Sequence, residues 1–118
     1  MKIILVKHGE TEEGTHRILL GALPGILTAQ GKKEMIVVAQ SIVAADLHPE
    51  LIISSKLTRA VDSAEILANI LNLPILQNAM VNERGGGVVE GKKDQEIEWS
   101  EYEKISLPYR KHKGVKVF

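Results

Sequence analysis

Short runs of apolar residues alternate with longer segments of helical periodicity along most of the chain. Continuous apolar runs rich in β-branched residues are typical of strands covered on both faces. We therefore expect parallel strands at residues 3–6, 51–53 and 75–76, the last extending as far as residue 81, with helices at residues 29–45 and 56–71. This order predicts an α/β fold, with a mostly parallel sheet, right-handed crossovers and helices on both faces.

Local signals support both predicted helices. Thr28 can cap the first helix, Ser54 and Ser55 precede the second, and Pro74 follows it. The apolar positions at helical spacing are Met35, Val38, Ala39, Ile42 and Val43 in the first helix, and Leu57, Ala60, Ala64, Leu67, Ala68 and Leu71 in the second. Each helix therefore has one face to bury.

The chain changes character after residue 83. Three consecutive glycines occupy residues 85–87, and residues 91–104 are highly charged with only a weak apolar stripe. We expect a short, partly exposed helix there, followed by a basic tail at residues 110–118 that ends as a strand or frays. The 118 residues suit one domain, residues 1–118, of which residues 91–118 form a divergent charged tail.

The composition is that of a soluble globular protein, with 44% hydrophobic and 25% charged residues. Fifteen basic and fifteen acidic side chains give a net charge of zero, so bulk electrostatics favours neither nucleic acid nor an anionic membrane as a partner. No apolar run approaches the roughly 18 residues of a membrane-spanning helix. Cysteine is absent, which excludes disulfides and thiolate zinc sites and favours a cytoplasmic location.

Polar side chains follow each predicted strand. Lys7 and His8 end the first, Ser54 and Ser55 end the second with Arg59 a helical turn later, and the third leads to Glu83. The carboxyl ends of parallel strands meet at one edge of a sheet, where open α/β sheets bind ligands. Cations there can hold a phosphate, an imidazole can attack phosphorus and a carboxylic acid can protonate the leaving oxygen.

Other phosphate-binding and metal-binding motifs do not fit. Gly25 and Gly31 are one residue too far apart for a P-loop, and Lys32 is followed by Lys33 rather than by Ser or Thr. The H-E-x-x-H motif does not occur. We therefore expect no metal and no cofactor.

Three blocks resemble the histidine phosphatase superfamily, which includes cofactor-dependent phosphoglycerate mutases (isomerases) and many phosphatases. The first block is LVKHGET at residues 5–11, where the family has Arg-His-Gly-Glu-Thr, and LTAQG follows at residues 27–31. The second is SKLTRAVDSA at residues 55–64, and the third is ERGGGVVEG at residues 83–91. The resemblance covers roughly residues 3–91.

The resemblance implies a role for each matching residue. His8 is the expected nucleophile, which becomes phosphohistidine, and Glu83 is the expected proton donor to the leaving group. The residues expected to bind or border the phosphate are Lys7, Arg59, Glu10 and Thr11. Glu90 also matches a motif position, and we expect its role to be structural. The implied partner is a small phosphorylated substrate.

Substitutions in the first block depart from the family pattern. Lys7 replaces an arginine, so it offers a point charge rather than a planar fork and should hold phosphate less rigidly. Gly14 and Ile18 stand where many members carry asparagine and arginine, and Arg17 is the neighbouring arginine.

A second histidine, which the family delivers from a later Gly-His-Gly-type segment, has no counterpart here. The remaining histidines are His16, His48 and His112. Family members are usually longer, so we expect an incomplete, truncated version of the family domain. One sheet edge would then be unpaired. Either the tail, a partner subunit or a homodimer covers this edge, or the chain is a fragment.

Three functional hypotheses stay open. The first is a phosphatase acting through phosphohistidine on His8, preferred over a mutase because a mutase must retain and reposition its substrate. The second is a catalytically weak or inactive relative that binds a phosphorylated ligand or acts in assembly. The third is an interaction surface that binds no phosphate.

Overall fold

A computed structural model describes residues 1–100 of the chain. In chain order the elements are helix α1 (Glu12–Thr15), helix α2 (Ala29–Ala44), strand β1 (Ile52–Ser54), helix α3 (Thr58–Leu71) and strand β2 (Ile75–Gln77), followed by 3₁₀ helices at Ala79–Val81, Gly87–Val89 and Asp94–Glu96. The α/β class with a small parallel sheet is confirmed. Among residues 1–100, no helix has the length and apolar character needed to cross a membrane.

Helix α2 begins where the sequence predicts. The hydroxyl oxygen of Thr28 accepts a hydrogen bond from the backbone N–H of Gly31 at 2.9 Å, which satisfies one of the free donors of the first turn. Met35, Ala39 and Ile42 are buried as expected, whereas Val43 is 61% exposed. The helix packs along α3, so its apolar face covers another helix.

Helix α3 packs against both strands of the sheet. Its Ala64 and Leu67 are buried, and Asn72, in the left-handed conformation at φ 53°, ends the helix. The chain then turns back into β2, which pairs with β1 in parallel so that Ile53 lies opposite Leu76. The α-helical crossover between the parallel strands follows the predicted order.

Residues 3–6 do not form the predicted strand. They adopt no regular secondary structure, and Ile3 and Leu5 are 71% and 92% exposed. A strand needs hydrogen-bonding partners on a neighbouring strand, and the sheet within residues 1–100 contains only β1 and β2. An apolar β-branched run gives the tendency to form a strand but cannot supply the partner.

The end of the third predicted strand is also corrected. Strand β2 stops at Gln77, and Ala79–Val81 is a 3₁₀ helix instead of an extension of the strand. The side chain of Asn78 accepts a hydrogen bond from the backbone N–H of Met80 at 2.9 Å, a local bond that favours a turn over a sheet. Of the predicted helix at residues 91–104, only the part up to residue 100 is described, and the tail at residues 110–118 lies outside the described residues.

Removal of the cap on α2 should lower stability. We expect Thr28→Ala to reduce the free energy of unfolding by about 1 kcal/mol, the usual contribution of a helix cap, because the Gly31 N–H loses its acceptor. Urea denaturation followed by circular dichroism measures this change. Thr28→Ser retains the hydroxyl and is the control; equal stability of the alanine and serine variants would contradict the capping role.

Candidate active site

His8 is partly buried at the end of the N-terminal segment. Its Nδ1 atom lies 2.7 Å from the backbone carbonyl oxygen of Gly9. A carbonyl only accepts hydrogen bonds, so Nδ1 must carry the ring proton in this contact. In the neutral imidazole Nε2 then has a free lone pair. The backbone thus selects the tautomer that a nucleophilic or basic Nε2 requires.

Gly9 attaches the histidine to helix α3. Its backbone N–H donates to the hydroxyl oxygen of Ser63 at 3.1 Å, and the same hydroxyl donates to the carbonyl oxygen of Arg59 at 2.7 Å. Ser63 is buried, so water does not compete for this pair of bonds. The predicted nucleophile and the first turn of α3 are therefore held together through one serine.

A close backbone contact fixes the same segment on its other side. A Cβ atom on Gly9 would lie 2.3 Å from the carbonyl oxygen of Gly31, and one on Gly31 would lie 2.1 Å from that of Glu10. Only glycine permits the two backbones to approach so closely. The His8 segment is consequently wedged between α3 and the start of α2.

Arg59 is buried, with 4% of its surface exposed. Its Nη2 donates to the carbonyl oxygen of Gly21 at 2.8 Å, and its Nη1 donates to the carbonyl oxygen of Leu23 and, at 3.5 Å, to that of Pro24. The backbone N–H of Arg59 also donates to the carbonyl oxygen of Pro24, at 3.0 Å. The predicted phosphate-binding cation thus holds the loop at residues 21–24 in this structure.

Three carboxylates act on the charge of Arg59. Burial lowers the pKa of the Arg59 guanidinium, while the negative charges of Glu83, Glu13 and Glu90 raise it. A buried cation is costly unless opposite charges and hydrogen bonds compensate it. The structure therefore places Glu83, the predicted proton donor, within the electrostatic surroundings of Arg59.

Glu83 and Lys7 are both exposed. The Oε1 atom of Glu83 accepts a hydrogen bond from the backbone N–H of its neighbour Arg84 at 3.2 Å. Both side chains can therefore reach a molecule in solvent.

Glu10 and Thr11 form hydrogen bonds within the protein. The carboxylate of Glu10 accepts from the hydroxyl of Thr28 at 2.8 Å. Thr11 is buried, and its hydroxyl oxygen caps the short helix α1 by accepting from the N–H of Gly14 at 3.0 Å. These contacts stabilise the loop that comes after His8.

The sequence contains three further histidines as candidates for the family's second histidine. His48 pairs with Asp46 at 3.0 Å on an exposed turn, and His112 lies outside the described residues. His16 lines a cavity of about 140 Å³ with Arg17, Lys93, Asp94 and Gln95.

Arg17 forms an exposed ion pair with Asp94 at 2.8 Å, so its charge is already matched. A second cavity, of about 280 Å³, is lined by Gly14, Arg17, Ile18, Leu19, Asp94 and Trp99. Neither of these two depressions is lined by His8, Arg59 or Glu83. Among residues 1–100, no group of His, Asp and Glu side chains is arranged to hold a metal ion.

The sequence alone did not single out Ser63, Gly31 or Glu13. Ser63 lies in the second motif block, as the residue that replaces the family's threonine, and this substitution was the available signal. Gly31 closes the LTAQG segment. Glu13, whose carboxylate accepts from the N–H of Ile26 at 3.0 Å, had no sequence signal.

A methyl group added between Gly9 and Gly31 should destabilise the protein. We expect Gly9→Ala to lower the free energy of unfolding by about 1–3 kcal/mol, the usual range for overpacking, because the added methyl group would meet the Gly31 carbonyl. Thermal and urea denaturation measure the change. Gly85→Ala is the matched control, since a Cβ atom there would lie at an ordinary 3.5 Å from Glu90 Oε2; similar losses in both variants would contradict the steric argument.

Comparison with known proteins assigns the chain to a family. The family model described as the histidine phosphatase superfamily (branch 1) matches residues 3–115. Phosphoglycerate mutase 1 of Saccharomyces cerevisiae is 30% identical over 94 residues, which cover 77% of this chain and 38% of the yeast protein. A probable phosphoglycerate mutase of Proteus mirabilis is 33% identical over 90 residues, covering 76% of this chain and 41% of that protein.

Solved structures agree with this assignment. A mycobacterial glucosyl-3-phosphoglycerate phosphatase in complex with VO3 superposes with a TM-score of 0.73 at 25% identity, covering 87% of this chain and 50% of that protein. A phosphoserine phosphatase from Entamoeba histolytica in complex with 3-phosphoglyceric acid superposes with a TM-score of 0.66 at 29% identity. The match covers 75% of this chain and 43% of that protein. The chain thus spans about half the length of these relatives or less, and it belongs to the histidine phosphatase superfamily.

Proposed function

We propose that the protein is a phosphomonoester hydrolase that acts through a phosphohistidine on His8. The observation that carries the proposal is the hydrogen bond from His8 Nδ1 to the Gly9 carbonyl, because in the neutral imidazole it leaves the lone pair on Nε2. Family membership and the phosphatases among the similar structures support the same chemistry. The proposal applies to one domain at residues 1–118.

The reaction would occur in two steps. First, the lone pair of His8 Nε2 forms a bond to phosphorus, the bond from phosphorus to the ester oxygen breaks, and the protonated carboxyl of Glu83 gives its proton to the departing alcohol. Water then attacks the phosphohistidine, its proton passes to the Glu83 carboxylate, and the N–P bond breaks. Inorganic phosphate leaves, and both side chains return to their starting states.

Positive charge would stabilise the transferring phosphoryl group. Lys7 is exposed next to His8 and can approach a phosphate oxygen, while Arg59 would contribute its guanidinium from the start of α3. Glu10 and Thr11 would border the pocket through the loop that they stabilise. All reacting groups in this scheme are side chains, and it requires no metal or cofactor.

A second candidate function is binding of a phosphorylated ligand without turnover, or a role in assembly. The hydrogen bonds that Arg59 donates to three loop carbonyls favour the role in assembly, because donors used within the protein are not free for a phosphate. We prefer hydrolase over mutase activity because phosphoryl return to a repositioned substrate requires a more complete pocket.

The expected partner is a small phosphorylated molecule in the cytoplasm. Among the similar structures, a phosphoserine phosphatase holds 3-phosphoglyceric acid, and we extend only the general class of small phosphate esters to this chain. We expect no nucleic-acid or membrane partner, consistent with the zero net charge. A homodimer would cover the exposed apolar residues of the sheet.

The proposed nucleophile can be tested with p-nitrophenyl phosphate. We expect turnover by the wild-type chain, loss of turnover to background in His8→Ala, and acid-labile phosphate on His8 after rapid quenching. His48→Ala removes an exposed histidine and is the matched control. Equal activity of the wild-type and His8→Ala proteins would exclude His8 as the nucleophile; phosphate binding by calorimetry without turnover or phosphohistidine would favour the second candidate.

The lysine beside the nucleophile offers a gain-of-function test. We expect Lys7→Arg to raise kcat/KM for p-nitrophenyl phosphate roughly five- to 100-fold, because a guanidinium can bind two phosphate oxygens at once. Lys33→Arg, on the exposed side of α2, controls for the general effect of replacing a lysine with an arginine. An unchanged or lower kcat/KM in Lys7→Arg would show that Lys7 does not contact the phosphoryl group in the transition state.

A further inference from the structure

The peptide group between Gly21 and Ala22 is held from both sides by charged side chains. Its carbonyl oxygen accepts from Arg59 Nη2 at 2.8 Å. Its N–H donates to Glu90 Oε2 at the longer distance of 3.4 Å. A peptide dipole with a cation at its oxygen and an anion at its nitrogen is favourably oriented toward both. One peptide group therefore links Arg59 to Glu90.

Glu90 makes a second and shorter hydrogen bond. The same Oε2 atom accepts from the backbone N–H of Gly86 at 2.7 Å. Gly86 lies three residues after Glu83 in the third motif block, so the carboxylate also restrains the segment that carries the proposed proton donor. Glu90 is partly buried and Gly86 is buried, which limits competition from water.

The structure leaves no room for a side chain at residue 21. A Cβ atom on Gly21 would lie 2.6 Å from the backbone nitrogen of Gly86 and 2.7 Å from Glu90 Oε2. Gly21 also adopts the left-handed conformation, with φ at 53°, which disfavours other residues. The three segments around residues 21, 59 and 86 thus converge on one carboxylate and one guanidinium.

We propose that Glu90 is a positioning residue for the phosphoryl-transfer site, which fixes Arg59 through the Gly21–Ala22 peptide and Glu83 through the Gly86 amide. This inference rests on the proposed function, because it assigns Glu90 a task in the same reaction. It goes beyond a purely structural role for the motif position: the carboxylate sets the relative placement of the cation and the acid. Its negative charge also offsets part of the buried positive charge of Arg59.

Two substitutions separate positioning from general stability. Glu90→Gln retains an oxygen that can accept from both amides, whereas Glu90→Ala removes every acceptor. Glu65→Gln, on the exposed side of α3, is the matched control for loss of one carboxylate. Each variant is measured for kcat and KM with p-nitrophenyl phosphate, for binding of inorganic phosphate by calorimetry, for amide hydrogen exchange at Ala22 and Gly86, and for thermal stability.

We expect Glu90→Ala to lose at least tenfold in kcat/KM, with most of the loss in kcat, and to exchange the Ala22 and Gly86 amides faster. We expect Glu90→Gln to restore kcat/KM to within about threefold of the wild type, because the acceptor returns. A lower melting temperature in Glu90→Ala with unchanged kcat would show that the residue only stabilises the fold and would overturn the inference. Unchanged amide exchange would overturn it as well.

Failure of the proposed function has a different signature. If the wild-type chain neither turns over p-nitrophenyl phosphate nor binds inorganic phosphate, the proposed function is wrong and the positioning role is overturned with it. If the wild-type chain is active and Glu90→Ala matches Glu65→Gln in every kinetic measurement, only the inference about Glu90 is wrong.

Discussion

The burial of the Arg59 guanidinium is the constraint around which the candidate site is built. A charge removed from water has to be hydrogen-bonded and compensated inside the protein, and here carbonyl oxygens of the loop at residues 21–24 meet that need. Gly25, the residue that follows this loop, has no side chain, and this allows the backbone to pass close to Arg59. A Cβ atom on Gly25 would lie 3.1 Å from Arg59 Cδ. Helix α3, the loop and the surrounding carboxylates are therefore arranged around one cation.

This arrangement leaves Arg59 with two demands on the same donors. As a loop anchor it needs the carbonyls of Gly21 and Leu23; as a phosphate ligand it would need to direct its N–H groups at an anion. An arginine has five N–H donors in a planar fork, so the two demands can be met together only if different edges of the fork serve them. The position of the loop and the strength of phosphate binding are then coupled through a single side chain.

The sequence predicts those parts of the fold that depend on local interactions. Helix α2 could be placed because Thr28 caps it with a bond three residues away, and the order of α3 and β2 could be read from apolar runs and Pro74. The prediction of a strand at residues 3–6 was wrong, because a β-strand depends on a hydrogen-bonding partner elsewhere in the chain. The grouping of His8, Arg59 and Glu83 near one sheet edge was inferred from parallel topology and stays a prediction. The bridge through Ser63 links the backbone of Gly9, next to His8, to the backbone of Arg59. The carbonyl partners of Arg59 could not be foreseen, since they depend on the path of a loop.

In the proposed reaction, the contact between His8 and the Gly9 carbonyl would also affect the second chemical step. If Nε2 acquires a phosphoryl group while Nδ1 keeps its proton, the ring becomes an imidazolium-like substituent on phosphorus. Such a ring departs as a neutral imidazole and needs no proton from solvent when the N–P bond breaks. A backbone carbonyl that holds this proton would thus promote dephosphorylation as well as nucleophilic attack, and the lifetime of the phosphorylated protein would depend on the geometry of one glycine.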